Sequence, residues 1–210
     1  QRRRALKSCI LGVSSHHWYS LFLCPVVSYV RDDRAKCGVF LHQILIMQNG
    51  FIKVAAAIPS VKVADCSFNI QQIESLMASA EGQGVEILCL PELAITAYTC
   101  QDLFQQQLLL DEAEASLLKL MEFSRNLNVT ALVGVPIAYN SMLFNCAAVI
   151  QRGKVYGLVP KTYIPNYKEF YEKRWFTSAQ VLANGVELRF CGQTVPMSKN
   201  LVFSTTHCTF

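Results

Sequence analysis

The sequence of 210 residues lacks several features that define whole classes of protein. It has no Gly-X-Y or heptad repeat, which excludes a fibrous protein. No apolar run reaches the roughly 20 residues of a membrane-spanning helix, since the longest candidate, 18–30, is interrupted by Pro25. There is no C-x-x-C pair for zinc and no G-x-x-x-x-G-K loop for phosphate. With 52% hydrophobic residues, the chain is long enough for one domain with a substantial core.

Charge divides the chain into two parts of different composition. Residues 1–46 hold seven of the nineteen Lys and Arg but only two of the fifteen acids, so 47–210 is nearly neutral. The neutral body offers no basic surface for nucleic acid. We predict that 1–46 is a disordered or non-native upstream extension and that Met47 is the natural start; a membrane anchor or targeting peptide is the alternative. Nine scattered cysteines without a convincing signal peptide favour a cytoplasmic protein.

Hydrophobic periodicity predicts the order strand, helix, strand, helix, followed by a run of strands. The predicted strands are 51–58, 85–90, 129–136, 142–151, 154–159, 186–190 and 201–203, and the predicted helices are 67–82 and 111–126. This order predicts an α/β layer structure with helices covering a sheet. The last ten residues contain no turn or cap that would close a domain. We therefore expect the domain at 47–210 to continue beyond Phe210.

Two segments carry side chains suited to chemistry. Glu92 follows the strand 85–90, and Lys161 follows the strand 154–159. Active sites of α/β sheets gather at the carboxyl ends of strands, where a carboxylate beside apolar walls can act as a general base. The segment 161–176 contains six aromatic residues among cations and acids, which suits a pocket for a small polar molecule. Position alone leaves two plainer alternatives, a turn-capping acid and a solvated loop packed by its aromatics.

Four motifs together resemble the nitrilase superfamily of carbon–nitrogen hydrolases. They are P-E-L-x-x-T-x-Y at 91–98, N-C-A at 145–147, R-G-K-V at 152–155 and K-x-x-x-P-N-Y-x-E-F-Y-E-x-R-W-F at 161–176. Within that superfamily they are most similar to the glutaminase domains of glutamine-dependent NAD synthetases, and the resemblance runs from about residue 51 to the C-terminus. It implies a nitrilase-like α-β-β-α sandwich, incomplete at the C-terminus of this chain.

The resemblance also implies roles for individual residues. In this family a Glu, a Lys and a Cys hydrolyse an amide, here that of glutamine. The matching positions are Glu92 as general base, Lys161 as oxyanion partner, Glu169 as the acid that positions the lysine, and Tyr98, Tyr167 and Phe170 in the glutamine pocket. No metal or cofactor is implied for this domain. ATP and deamido-NAD belong to a synthetase domain in cis that receives the ammonia, and a homo-oligomer is expected.

The sequence departs from the family pattern at two places. Ala97 replaces the glycine common in the T-G-Y form of the first motif, with Tyr98 still in register. The nucleophile motif, resembling E-I-C-E-D-x-W, is missing, and the neighbours of Cys191 and Cys208 do not match it. We therefore expect the nucleophile beyond Phe210 and no activity from this chain alone. The alternatives are another nitrilase-type amidase, acting on a carbamoyl or aliphatic amide, and a non-catalytic scaffold.

Overall fold

The computed structural model describes residues 51–182 and 185–210, and the backbone of 27–30. It confirms the predicted mixed α/β layer structure. The strands are β1 (Val27–Val30), β2 (Val54–Ala57), β3 (Ile87–Cys89), β4 (Thr130–Tyr139), β5 (Met142–Gln151), β6 (Lys154–Pro160), β7 (Val186–Phe190) and β8 (Gln193–Met197), and the helices are α1 (Cys66–Gly82) and α2 (Gln107–Phe123). Apart from β1, which pairs in parallel with β2, the predicted extension 1–46 lies outside the described residues. Its assignment stays a prediction.

The eight strands of the described residues form one sheet in the order β1-β2-β3-β4-β5-β6-β8-β7. The pairs from β1 to β4 are parallel, whereas β4, β5 and β6 form two antiparallel hairpins. The hairpin turns are Asn140-Ser141 and Arg152-Gly153, and all four residues have positive φ. Turns of this kind match the right-handed twist of the flanking strands. Both turns fall in the gaps between the predicted strands 129–136, 142–151 and 154–159.

The helices cover one face of this sheet. Asp65 caps α1 by accepting a hydrogen bond from the backbone N of Phe68 at 3.0 Å. The buried stripe of α1, which includes Ile73 and Met77, joins the alternate strand residues in a single core. Successive strand residues point to opposite faces. The other face, to which Cys89 belongs, is therefore available for a site.

Besides shifts of one to three residues at the ends of several elements, the structure differs from the prediction in three places. Helix α2 begins at Gln107, one turn before the predicted start at Asp111, so the acidic cluster lies in its second turn. The predicted strand 201–203 is instead part of a terminal hairpin that has only one bridge, between Ser204 and Thr209. Strand β8 was not predicted, because Pro196 lies inside it and proline argues against a strand interior.

Gly134 allows the chain after β3 to cross the open face of β4. A Cβ atom added to Gly134 would lie 2.2 Å from the backbone N of Leu93 and 2.4 Å from the carbonyl O of Pro91. The backbone N of Ile95 donates to the carbonyl of Gly134 at 3.3 Å. The segment 91–95 thus lies directly on β4. This path brings Glu92 across the sheet toward β5.

A buried asparagine fixes the far end of this crossing segment. The Asn69 side chain is fully buried, and its Nδ2 donates to the carbonyl oxygens of Lys62 and Ile95, each at 2.8 Å. Its Oδ1 accepts from the backbone N of Lys62 at 2.7 Å. Because a buried amide without partners is costly, these bonds restrict how the loop can pack against α1.

Candidate active site

Glu92 and Lys161 meet on the open face of the sheet. The Lys161 Nζ lies 2.8 Å from the Glu92 Oε2. The strands that precede them, β3 and β6, are not neighbours, since β4 and β5 lie between them. The crossing at Gly134 closes this lateral gap. The pairing therefore depends on loop geometry as much as on strand order.

Asn145 on β5 connects the two charged residues. Its Nδ2 donates to the Glu92 Oε2 at 3.1 Å, and its carbonyl accepts from the backbone N of Lys161 at 2.8 Å. Both donors to Glu92 contact the same oxygen, and half of this side chain is exposed. The carboxylate is therefore held in place while it still faces the cleft.

Glu172 is the second carboxylate beside the lysine. Its side chain is only 3% exposed, and both of its oxygens lie 3.1 Å from the Lys161 Nζ. The Tyr98 hydroxyl donates to the Glu172 Oε1 at 2.5 Å. A buried carboxylate needs such partners, because removal from water is costly unless the charge is paired and hydrogen-bonded. The ammonium group thus lies between two acids.

The cleft also contains the other predicted residues. Tyr167 and Phe170 line it, with ring centroids 5.8 Å apart in an edge-on arrangement. Glu169 lines the same cleft, but its side chain is exposed, and the contacts to the Lys161 ammonium are made by Glu92 and Glu172. The role predicted for Glu169 stays a prediction. From the motif at 161–176 we predicted only a structural role for Glu172, since a residue in a short 3-10 turn has no periodic pattern that indicates burial.

Most of the described cysteines have pKa values shifted away from those of an activated nucleophile. Burial raises the pKa of Cys89 and Cys146, the two thiols that line the cleft. Burial also raises the pKa of Cys66 to about 11 and that of Cys191 to about 12. A reactive thiol needs the opposite shift. Cys208 lies in the terminal hairpin, where its backbone N donates to the Thr205 Oγ1 at 3.1 Å. The nucleophile predicted beyond Phe210 stays a prediction.

Across 51–182 and 185–210, no three His, Cys, Asp or Glu side chains are grouped as a metal site would require. None of the helices there combines the length and the apolar character needed to cross a membrane.

The chain is similar in sequence and in structure to proteins of known name. The chain is 32% identical over 159 residues to the glutamine-dependent NAD(+) synthetase of Mycobacterium tuberculosis H37Rv, which covers 76% of the chain and 23% of that protein. It is 35% identical over 108 residues to the enzyme of the same name from Aquifex aeolicus, covering 50% of the chain and 19% of the relative. The structure of a glutamine-dependent NAD(+) synthetase from Cytophaga hutchinsonii matches with a TM-score of 0.69 at 25% identity, over 75% of this chain and 27% of that one.

An amidase from Nesterenkonia shares the fold, with a TM-score of 0.55 at 18% identity over 70% of this chain and 54% of that one. The chain spans about a quarter of the length of the curated relatives that match most of it. The family model for carbon–nitrogen hydrolases matches residues 53–200. The chain with the Glu92, Lys161 and Glu172 cluster on its sheet therefore belongs to the carbon–nitrogen hydrolase family.

Proposed function

We propose that this domain hydrolyses the side-chain amide of glutamine and that the ammonia is used to make NAD from deamido-NAD. The observation that carries the proposal is the Lys161 ammonium held between Glu92 and Glu172, at 2.8 and 3.1 Å, in an open cleft. The names of the relatives support glutamine as the amide. ATP and deamido-NAD would bind a synthetase domain in cis, and we expect a cytoplasmic homo-oligomer.

The geometry supports a stepwise amide hydrolysis. Glu92 takes the proton of a cysteine thiol, and the thiolate attacks the amide carbon of glutamine. The amide oxygen then carries a negative charge, which the Lys161 ammonium stabilises. Glu92 returns the proton to the leaving nitrogen, so that ammonia departs and a thioester remains. A water molecule, deprotonated by Glu92, attacks the thioester, and glutamate and the thiol are released.

The thiol in this scheme is placed outside the described residues. The raised pKa values of the cleft cysteines, Cys89 and Cys146, support that placement. The walls formed by Tyr167 and Phe170 would contact the substrate, while Tyr98 links the pocket to Glu172. Substrate binding and lysine position are thereby connected through one hydroxyl group.

A substrate comparison on the full-length protein tests the proposal. L-glutamine should yield equal amounts of glutamate and ammonia, and NAD should form from deamido-NAD and ATP with either glutamine or ammonia as nitrogen source. Acetamide and an N-carbamoyl amino acid should be poor substrates. Hydrolysis of either of these in preference to glutamine would favour the amidase alternative. No hydrolysis of any amide would favour the scaffold.

A second experiment distinguishes the roles of Glu169 and Glu172, the two acids of the motif at 161–176. Because Glu172 contacts the ammonium and Glu169 is exposed, Glu172→Gln should lower kcat with glutamine by up to about 10²-fold, less than the loss of the oxyanion donor itself. Glu169→Gln is the matched variant and should have the smaller effect. Ammonia-dependent synthesis should be unchanged in both. A larger loss in Glu169→Gln would return the positioning role to Glu169.

A further inference from the structure

Asp102 joins two chain segments that both reach the cleft. Its Oδ1 accepts from the Arg174 Nε at 2.7 Å and from the Trp175 Nε1 at 2.8 Å. Its Oδ2 accepts from the Arg174 Nη2 at 2.9 Å. The first segment, Tyr98–Gln105, begins with Tyr98, and the second, 172–176, begins with Glu172. One carboxylate thus receives three hydrogen bonds from the segment that provides the buried acid.

The same two segments also contact each other at two other places, one at the cleft and one in the protein interior. At the cleft, the Tyr98 hydroxyl donates to Glu172. In the interior, the buried Phe104 ring meets the Phe176 ring edge-on at 4.9 Å between centroids. Asp102 closes the contact at the surface. The three contacts leave the two segments little freedom to slide past each other.

The segment that carries Tyr98 needs such external contacts. Ala97 has φ 68° and Gln101 has φ 52°, and both angles lie in the left-handed region that side chains with a Cβ rarely adopt. A backbone held in sparsely populated conformations persists only where the surroundings determine it. Asp102 lies one residue after Gln101, so its bonds to Arg174 and Trp175 act beside a strained position of the backbone.

We propose that Asp102 is a positioning residue for the amide-hydrolysing site: by holding the Tyr98 segment against the Glu172 segment, it sets the place of the Lys161 ammonium. The inference rests on the proposed function and adds a residue that touches no reacting atom. Exposed ion pairs ordinarily contribute little to stability, and the Asp102 and Arg174 side chains are about 60% exposed. Removal of the carboxylate should therefore affect the site more than the fold.

The test is Asp102→Asn in the full-length protein. Asparagine loses the charge and the paired bond to Arg174. We expect kcat with glutamine to fall by about tenfold to 10²-fold, as a small misplacement of a catalytic group can cause, with KM changed much less. Ammonia-dependent synthesis should not change. The matched control is Glu122→Gln, because the Glu122–Arg125 pair has the same 2.7 Å distance and about the same exposure but joins the last turn of α2 to the 3-10 turn that follows it.

A double-mutant cycle with Tyr98→Phe separates positioning from a general structural role. If Asp102 acts through the bond between Tyr98 and Glu172, the two variants together should lose little more activity than either alone. Additive losses, or an unchanged kcat in Asp102→Asn, would overturn the proposal. Should Asp102→Asn fold poorly, Arg174→Lys gives the same test, since lysine keeps the charge but cannot form the paired bond.

A structural readout keeps the inference separate from the proposed function. In a crystal structure of Asp102→Asn, the hydrogen bond between Tyr98 and Glu172 should be lost, whatever the substrate of the protein proves to be. If this bond persists in the variant, the positioning role is wrong. If it is lost but the wild-type protein does not hydrolyse glutamine, the proposed function is wrong and the contact between the segments still depends on Asp102.

Discussion

Replacing Lys161 by alanine should abolish glutamine-dependent NAD synthesis and leave ammonia-dependent synthesis unchanged. The ammonium is the positive group that Glu92 and Glu172 hold in the cleft, and the loss of one oxyanion donor costs about 10²–10³-fold in kcat. Ammonia added from outside bypasses amide hydrolysis, so the second activity reports on the integrity of the rest of the protein. Loss of both activities, or of neither, would contradict the glutaminase assignment.

Two further variants make this result specific. Lys154→Ala removes an exposed lysine from the start of β6, the strand that Lys161 follows, and should leave both activities intact. Lys161→Ala also leaves the carboxylate of Glu172 buried without its partner, a change that can cost several kcal/mol, about 3–5 in fully buried pairs. The double variant Lys161→Ala/Glu172→Gln should recover part of this stability, measured by thermal unfolding, but none of the glutamine-dependent activity.

Glu92→Gln should reduce glutamine hydrolysis by about 10²–10⁴-fold, the usual value of a positioned general base. Glutamine keeps the shape of the side chain and an oxygen that can accept from Lys161 and Asn145, so the site should stay assembled while its base is lost. The measurement is ammonia release in a single turnover, where product release cannot mask the chemical step. Ammonia-dependent synthesis should again be unaffected.

The control for this variant is Glu187→Gln, which neutralises an exposed glutamate on β7. It should change neither activity. A Glu92→Gln protein with glutamine hydrolysis within about twofold of wild type would remove Glu92 from the proton transfers, because a base that matters contributes at least about 10²-fold. In that case Glu172 would be the next acid to test.

Much of the fold follows from local sequence patterns. The apolar strand patterns predicted the hairpins formed by β4, β5 and β6. The structure closes these hairpins with two turns of positive φ. Glu92 and Lys161 were found because each directly follows an apolar strand. Strand β8 was not predicted because it contains a proline, a residue that usually argues against a strand. Proline is nevertheless tolerated at some strand positions.

The features of the site that could not be predicted from the sequence depend on contacts between distant segments. The position of Glu92 over β5 requires the segment 91–95 to cross β4 at Gly134. A glycine inside a strand does not by itself indicate that another segment crosses there. The proximity of Glu172 to Lys161 results from a 3-10 turn that folds back toward β6. Asp102 meets Arg174 across 72 residues of sequence. No short-range pattern encodes any of these three contacts.

The close passage at Gly134 also restricts how this protein can vary during evolution. Even alanine would push against backbone atoms rather than against a side chain that could rotate away. A lineage could therefore accept a larger residue at 134 only together with an insertion in 91–95 that lifts the loop. In an alignment of descendants, substitution at this position and loop length should change as one linked event, and a shift of the glutamate should accompany it.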